Sequence, residues 1–173
     1  MDRDQALNID HAMELHEKPL LRYTENLMGS REGACDVVQE AFLQLIRGKW
    51  RDGNLSSWLY TVCRNRALDY LKKESRLIPL TIEEPGPAYE APAVSADEAL
   101  IQRQMSSNIL QRIQLLPENQ REVIQLKFSA EKSYREISEI TGLSVSNVGF
   151  LLHTAIKALR TEMCQPGATS GGN

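Results

Sequence analysis

Thr61, Arg64, Asn65, Lys72, Lys73 and Arg76 are the residues of this 173-residue chain whose types and spacing most directly suggest chemistry. Set out at about 100° per residue, they fall on or beside one side of a helix over Ser57–Arg76. Leu59, Val62, Cys63, Ala67, Tyr70 and Leu71 fall on the other side and would pack on a helical core. A hydroxyl, an amide and several cations on one face are the groups that hold phosphates and read base edges. The same face also fits the solvated surface of a structural helix, and periodicity alone does not separate the two. Asp69 sits at the margin between the faces. Arg66 falls near the apolar side and must snorkel or pair. Just upstream, residues 48–56 form a loop with Gly, cations, Asn54 and Trp50. Such a loop can hold an unstacked base, as single-strand binders do. Trp50 is read equally as a stacking ring or as an anchor at the core edge.

A second polar face lies near the C-terminus. Ser133-x-x-Glu136 is a capping box that starts a short helix, Tyr134 to Thr141, closed by Gly142. Ser144 can cap a further helix from Val145 to about Leu159. Ile137, Leu143, Val148 and Leu151 fill the interior, and Gly142 supplies the turn of a helix-turn-helix. Such a motif inserts the N-terminal end of its second helix into the major groove. Ser146, Asn147, Phe150 and His153 are placed outward there, and Lys132, Arg135, Lys157 and Arg160 are the cations placed to hold phosphates. The second helix itself is poor in cations. Phe150 either contacts a thymine methyl or fills the core, and the core is the favoured expectation.

Other chemistry finds little support. No nucleophile–base constellation and no phosphate-cradling Gly loop occurs, so no catalytic residues are nominated and no cofactor is expected. Cys35, Cys63 and Cys164 form no C-x-x-C pair, and Cys63 reads as a small buried hydrophobe. His11 and His16 are poorly spaced for two ligands on one helix, so no metal site is expected.

The elements that must position these faces are helical. Strand signals are weak, no apolar run of membrane-spanning length occurs, and the polar N-terminus lacks a signal-peptide core. An all-α, cytoplasmic protein is expected. From about Ala12 to Met28 the pattern is helical, with Pro19 predicting a kink or a break into two helices. Cys35–Arg47 is a cleaner helix with Val37, Val38, Ala41, Phe42, Leu45 and Ile46 as a core stripe. Asp36, Gln39, Glu40 and Gln44 lie off that stripe. Ser56 or Ser57 is expected to cap the basic helix, and Trp58 to join the core. Residues 77–96 hold four of the seven Pro and three Glu without a cation, and read as a linker. It can reach about 66–72 Å when extended. Beyond Asp97 a long helix ending near Leu116 is expected, then one opened by Pro117. The Gly/Ser-rich tail, 165–173, is expected to be disordered.

Charge is unevenly spread. The net charge is −3, yet residues 47–76 carry eight Lys/Arg against three Asp/Glu, whereas residues 1–46 carry four against nine. A basic patch beside an acidic lobe suits a protein that touches DNA with one surface and a basic partner with another.

The sequence also carries a resemblance. Trp58-Leu59-Tyr60-Thr61-Val62, Arg64-Asn65 and Ala67-Leu68-Asp69-Tyr70-Leu71 resemble the promoter-reading helix of sigma-70-type sigma factors, closest to the short extracytoplasmic-function type. Asp36-Val37-Val38-Gln39-Glu40-Ala41-Phe42 resembles the segment that docks on core RNA polymerase. Leu116-Pro117-x-x-Gln120-Arg121-Glu122 resembles the start of a sigma-4 domain. The resemblance spans about Leu15 to Arg160 and implies two small helical domains. A sigma-2 domain over 1–76 would dock on polymerase (Asp36, Gln39, Glu40, Phe42) and read the −10 element (Asn54, Thr61, Arg64, Asn65, Asp69, Lys72, Lys73, Arg76). A linker over 77–96 and a sigma-4 domain over 97–164 would follow, the latter reading the −35 element with Lys132, Arg135, Ser144, Ser146, Asn147, Phe150, His153 and Lys157. Core RNA polymerase, promoter DNA and an anti-sigma factor are the implied partners. Gly149-Phe150-Leu151 departs from the basic or hydroxyl-rich pattern usual there. Two rival functions stay open: a free-standing helix-turn-helix regulator, and a polymerase-binding adaptor that has lost promoter reading.

Overall fold

The computed structural model describes residues 9–77 and 109–164. The expected linker beyond Leu77, the first part of the long helix after Asp97 and the C-terminal tail lie outside the described residues. The described residues form α-helices joined by turns, with no strand among them.

Three helices make an N-terminal unit: α1 (Ile9–Met28), α2 (Arg31–Ile46) and α3 (Leu55–Leu77). Pro19 does not divide α1, which runs as one helix through it. Ser30 caps α2 by accepting a hydrogen bond from the Gly33 amide. The three helices pack on one another. Leu20 and Tyr23 from α1, Val38, Ala41, Phe42 and Leu45 from α2, and Leu59, Tyr60, Cys63 and Ala67 from α3 are buried between them. The Tyr23 and Tyr60 rings meet edge-on, with centroids 5.1 Å apart. Trp50 and Trp58 pack against this core. Tyr70 departs from the expectation and is exposed. Ile46, expected in the core stripe of α2, is likewise exposed.

Cys63 is fully buried, and burial pushes its thiol up to about 12, with the Thr24 hydroxyl pulling weakly the other way. A thiol so placed is not a nucleophile at neutral pH. Alkylation of the Cys63 peptide by iodoacetamide is therefore expected to track global unfolding of the N-terminal unit across a urea titration. Labelling in native buffer at the rate of an exposed thiol would contradict this packing.

A helical stretch over 109–114 leads into a C-terminal unit of α4 (Glu118–Phe128), α5 (Tyr134–Thr141) and α6 (Val145–Cys164). Its core is Val123, Leu126, Ile137, Ile140, Val148, Leu152 and Ala155. The expected capping box is present: the Ser133 side chain accepts from the Glu136 amide, and the Glu136 carboxylate accepts from the Ser133 amide. Gly142 ends α5 at φ 75°, a left-handed position that a side chain would strain. Ser144 caps α6 through the Asn147 amide. The two units touch: α5 packs on α3, and α4 reaches α1.

Candidate nucleic-acid and polymerase interfaces

α3 is begun by Asn54 rather than by either serine. Its Oδ1 accepts a hydrogen bond from the Ser57 amide at 3.0 Å, so the side chain expected to touch DNA is also the helix cap. Along the helix, Asn65, Asp69, Lys72 and Lys73 are exposed on one side. Thr61 is half-buried and donates to the Ser57 carbonyl, and the side chain of Arg76 is outside the described residues. Arg66 leaves the apolar side and pairs with Glu40 of α2 at 3.3 Å. The exposed run from Asn65 to Lys73 can hold a nucleic-acid backbone along one helix face.

Arg64 is differently placed. Its Nε donates to Glu122 Oε1 at 2.7 Å and its Nη2 to Oε2 at 3.2 Å, a fork made with the other unit. The Tyr23 hydroxyl donates to the same Oε1 at 2.7 Å. Burial alone would lower the Arg64 pKa, but the hydrogen bond and charge of Glu122 outweigh it and raise it. Burial first, then the Glu122 charge, pushes the Tyr23 phenol well above its usual range.

Lys132 was expected among phosphate-holding cations, yet its side chain is only 7% exposed. Its Nζ donates to Ser56 Oγ at 2.6 Å, lies 3.6 Å from Glu136 and sits 5.0 Å from the Tyr60 ring. It is turned into the junction because the first turns of α3 supply Ser56 and Tyr60 as its partners there. Desolvation lowers its pKa against the pull of Glu136. Glu136 also accepts from Asn54 Nδ2 at 3.0 Å and Ser57 Oγ at 3.2 Å. Burial raises its pKa, but the Ser133 amide, the Ser133 hydroxyl and the Lys132 charge together hold the carboxyl below its ordinary value. That contribution to stability is full above the ordinary carboxylate pKa and fades as pH falls through the depressed one.

On the helix-turn-helix, Ser144, Ser146, Asn147, His153 and Lys157 are exposed, and Arg135 pairs loosely with Glu139 at 3.6 Å. Phe150 is 66% exposed, so the core expectation fails for it. The reason is geometric: Val148, Leu151 and Leu152 turn inward, which sends position 150 out. On α2, Asp36 and Gln39 are exposed and Glu40 is half-buried between Arg47 and Arg66. Phe42 is a correction. It is 3% exposed within the N-terminal core, and its ring cannot reach a docking partner.

Comparison with known proteins decides the family. A Sigma-70 region 2 family model matches residues 12–77. A Sigma-70 region 4 model matches residues 106–159, and the two together take in more than half of the chain. The chain belongs to the sigma-70 family, in its extracytoplasmic-function group. It is 27% identical over 172 residues to the ECF RNA polymerase sigma factor SigW of Bacillus subtilis, covering 94% of this chain and 90% of that one. It is 22% identical over 156 residues to SigM of the same organism, covering 89% and 94%. Among solved structures it resembles the sigma factor RpoE in complex with the anti-sigma factor NepR from Bartonella quintana. The TM-score is 0.72 at 20% identity, over 90% of this chain and 96% of that one. CnrH in complex with the cytosolic domain of CnrY gives a TM-score of 0.61 at 19% identity, over 90% and 86%.

In this sigma factor the region 2 match takes in most of α1 and all of α2 and α3, and the region 4 match takes in α4, α5 and most of α6. Among the described residues no helix is long and apolar enough to cross a membrane. Sequence reading missed Tyr23, Ser57 and Glu122 as polar groups at the junction. Glu122 carried one signal, a carboxylate set directly against the apolar Val123-Ile124-x-Leu126 run. Its partner Arg64, 58 residues away, carried none.

Proposed function

We propose that this sigma factor directs promoter-specific transcription in the cytoplasm as an initiation factor, not as a catalyst. It binds core RNA polymerase through the exposed acidic and amide face of α2 at Asp36, Gln39 and Glu40. A face of that chemistry suits basic partner helices and sets orientation. The exposed run Asn65, Asp69, Lys72 and Lys73 on α3 takes the −10 element, with Arg64, Thr61 and Asn54 contributing at its N-terminal half. The α6 face of Ser146, Asn147, Phe150 and His153 enters the −35 major groove. Ser144 lies at its tip, and Arg135 and Lys157 bear on the backbone. The similar fold solved with the anti-sigma factor NepR supports a protein regulator of that kind here.

The observation that carries this reading is the coexistence, in a chain matching both sigma-70 regions, of two separate polar helix faces. One is cationic on α3 and the other is an exposed recognition face on α6. Replacing Lys72 and Lys73 together by Ala tests it. The salt dependence of promoter binding by the holoenzyme is expected to shallow by about 0.7–0.9 in log–log slope per lost phosphate contact. An unchanged slope refutes their place on the backbone.

The cation-poor α6 face favours a second reading, a polymerase-binding adaptor without promoter selection. It predicts co-migration with core polymerase but no new transcripts.

A further inference from the structure

The N-terminal turns of α6 carry side chains that suit two of the four bases and not the others. Residues 145–156 hold no Lys, Arg, Asp or Glu. In the major groove guanine is read chiefly by Arg or Lys on O6 and N7, and cytosine by a carboxylate on its N4 amine. Those turns offer neither. Asn closes a bidentate pair on adenine N6 and N7, and an apolar side chain meets the thymine methyl. They offer one of each. Set out at about 100° per residue, Ser146, Asn147, Phe150 and His153 share one face with Phe150 at its middle. Val148, Leu151, Leu152 and Ala155 are buried on the opposite side. The four outward residues are exposed. The Asn147 backbone amide is spent on the Ser144 cap, but its side chain makes no hydrogen bond among the described residues. Thr154, on the same face one turn beyond, spends its hydroxyl on the Phe150 carbonyl at 2.9 Å.

The flanking cations stand away from that face. Arg135 lies on α5 beside Glu139. Lys127 lies over the Tyr134 ring at 5.5 Å and donates to the Lys132 carbonyl at 3.4 Å. Lys157 stands about 18 Å along the helix axis from Val145, farther than the groove width of about 12 Å. His153 stands about 12 Å along, at the groove edge.

We propose that α6 reads the −35 element as an adenine and a pyrimidine methyl, with no direct contact that requires a guanine. Asn147 takes the adenine, and Phe150 takes the methyl of a neighbouring thymine. This rests on the reading of α6 as the −35 helix, and adds to it the class of base selected and the side chain that selects each. The flanking cations then hold phosphates, which position the helix and carry no base identity. A consequence follows for modified DNA. A phenyl ring recognises the C5-methyl and not the O4 acceptor beside it. 5-Methylcytosine presents that methyl in the same place, so methylation of a cytosine at the Phe150 position raises promoter affinity.

The test uses holoenzyme assembled from core polymerase and the full chain, with a duplex library that carries a randomised segment. Sequencing the bound fraction is expected to show, upstream of the −10 motif, an element dominated by A·T pairs. Asn147→Ala makes one adenine column degenerate, a loss of about five- to hundredfold in preference, and Phe150→Ala makes one thymine column degenerate. On the selected duplex, cytosine in place of that thymine weakens binding. 5-Methylcytosine there binds about fourfold more tightly than cytosine, the worth of one buried methyl. Phe150→Ala holoenzyme does not tell the two cytosines apart. Both substituted side chains are exposed, so circular dichroism is expected to be unchanged. Equal binding of cytosine and 5-methylcytosine by the wild type would overturn the methyl readout. An upstream element lost with the α6 variants, but carried by a guanine that 7-deazaguanine cannot replace, would overturn the base class and leave α6 as the −35 helix. A −10 motif with no upstream element, or with one indifferent to both substitutions, would overturn this proposal and the reading of α6 together.

Discussion

Reversing the charge of Asp36 and Glu40 together, to Lys, is expected to weaken binding to core RNA polymerase by about one hundredfold, roughly 2.8 kcal/mol. The size follows from replacing attraction by like-charge contact with a basic partner, which costs more than deletion alone. The fold is expected to survive. Glu40 gives up its pairs with Arg66 at 3.3 Å and Arg47 at 3.8 Å, and surface pairs of this kind contribute about 0–1 kcal/mol. Asp36 is exposed, and its loss exposes no apolar surface. Circular dichroism and a sizing column against purified core separate the two effects. Unchanged helicity with lost co-migration is the expected pattern, and full retention of polymerase binding would remove α2 from the docking assignment.

The other large effect is on stability. Ile137 is fully buried where α5 meets the rest of the helix-turn-helix. Truncating it to Ala removes three methyl or methylene groups from a packed site and is expected to cost about 2–5 kcal/mol. A unit of this size buries too little surface to absorb such a loss easily. Thermal unfolding followed by circular dichroism is expected to show the C-terminal unit melting well below the N-terminal one, with −35 protection lost. Phe150→Ala is the contrasting change. At 66% exposure it is expected to alter stability by less than about 0.5 kcal/mol while weakening −35 binding. Thymine-to-uracil replacement in the −35 element reads the missing methyl contact directly. A Phe150→Ala protein that unfolds as readily as Ile137→Ala would contradict the exposed placement.

The parts of the fold readable in the sequence are those fixed by short-range pattern. The two-faced repeat of α3 placed Leu59, Cys63 and Ala67 inside and Asn65 and Lys72 outside. The Ser133–Glu136 box and Gly142 marked both ends of α5, because each signal acts within four residues. Where two local signals competed, the wrong one was read. Two serines follow Asn54, and either could have capped α3, yet the amide one residue before the helix took the role. Phe42 belongs by spacing to the stripe of Val38, Ala41 and Leu45, and its burial follows from that spacing rather than from the docking motif around it. What the sequence left unread depends on separation along the chain. Lys132 finds Ser56 across 76 residues, and Arg64 finds Glu122 across 58. No periodicity encodes such a meeting, and it changes which of the expected DNA contacts are free to act.

The central claim, that this protein selects promoters for RNA polymerase, is tested most directly by run-off transcription. Purified core polymerase would be given sheared genomic DNA with and without the protein. The account predicts discrete new transcripts whose start sites share −10 and −35 elements and which disappear with the Asp36→Lys, Glu40→Lys variant. Co-migration with core and no transcript under any salt condition would contradict it and leave a polymerase-bound adaptor in its place.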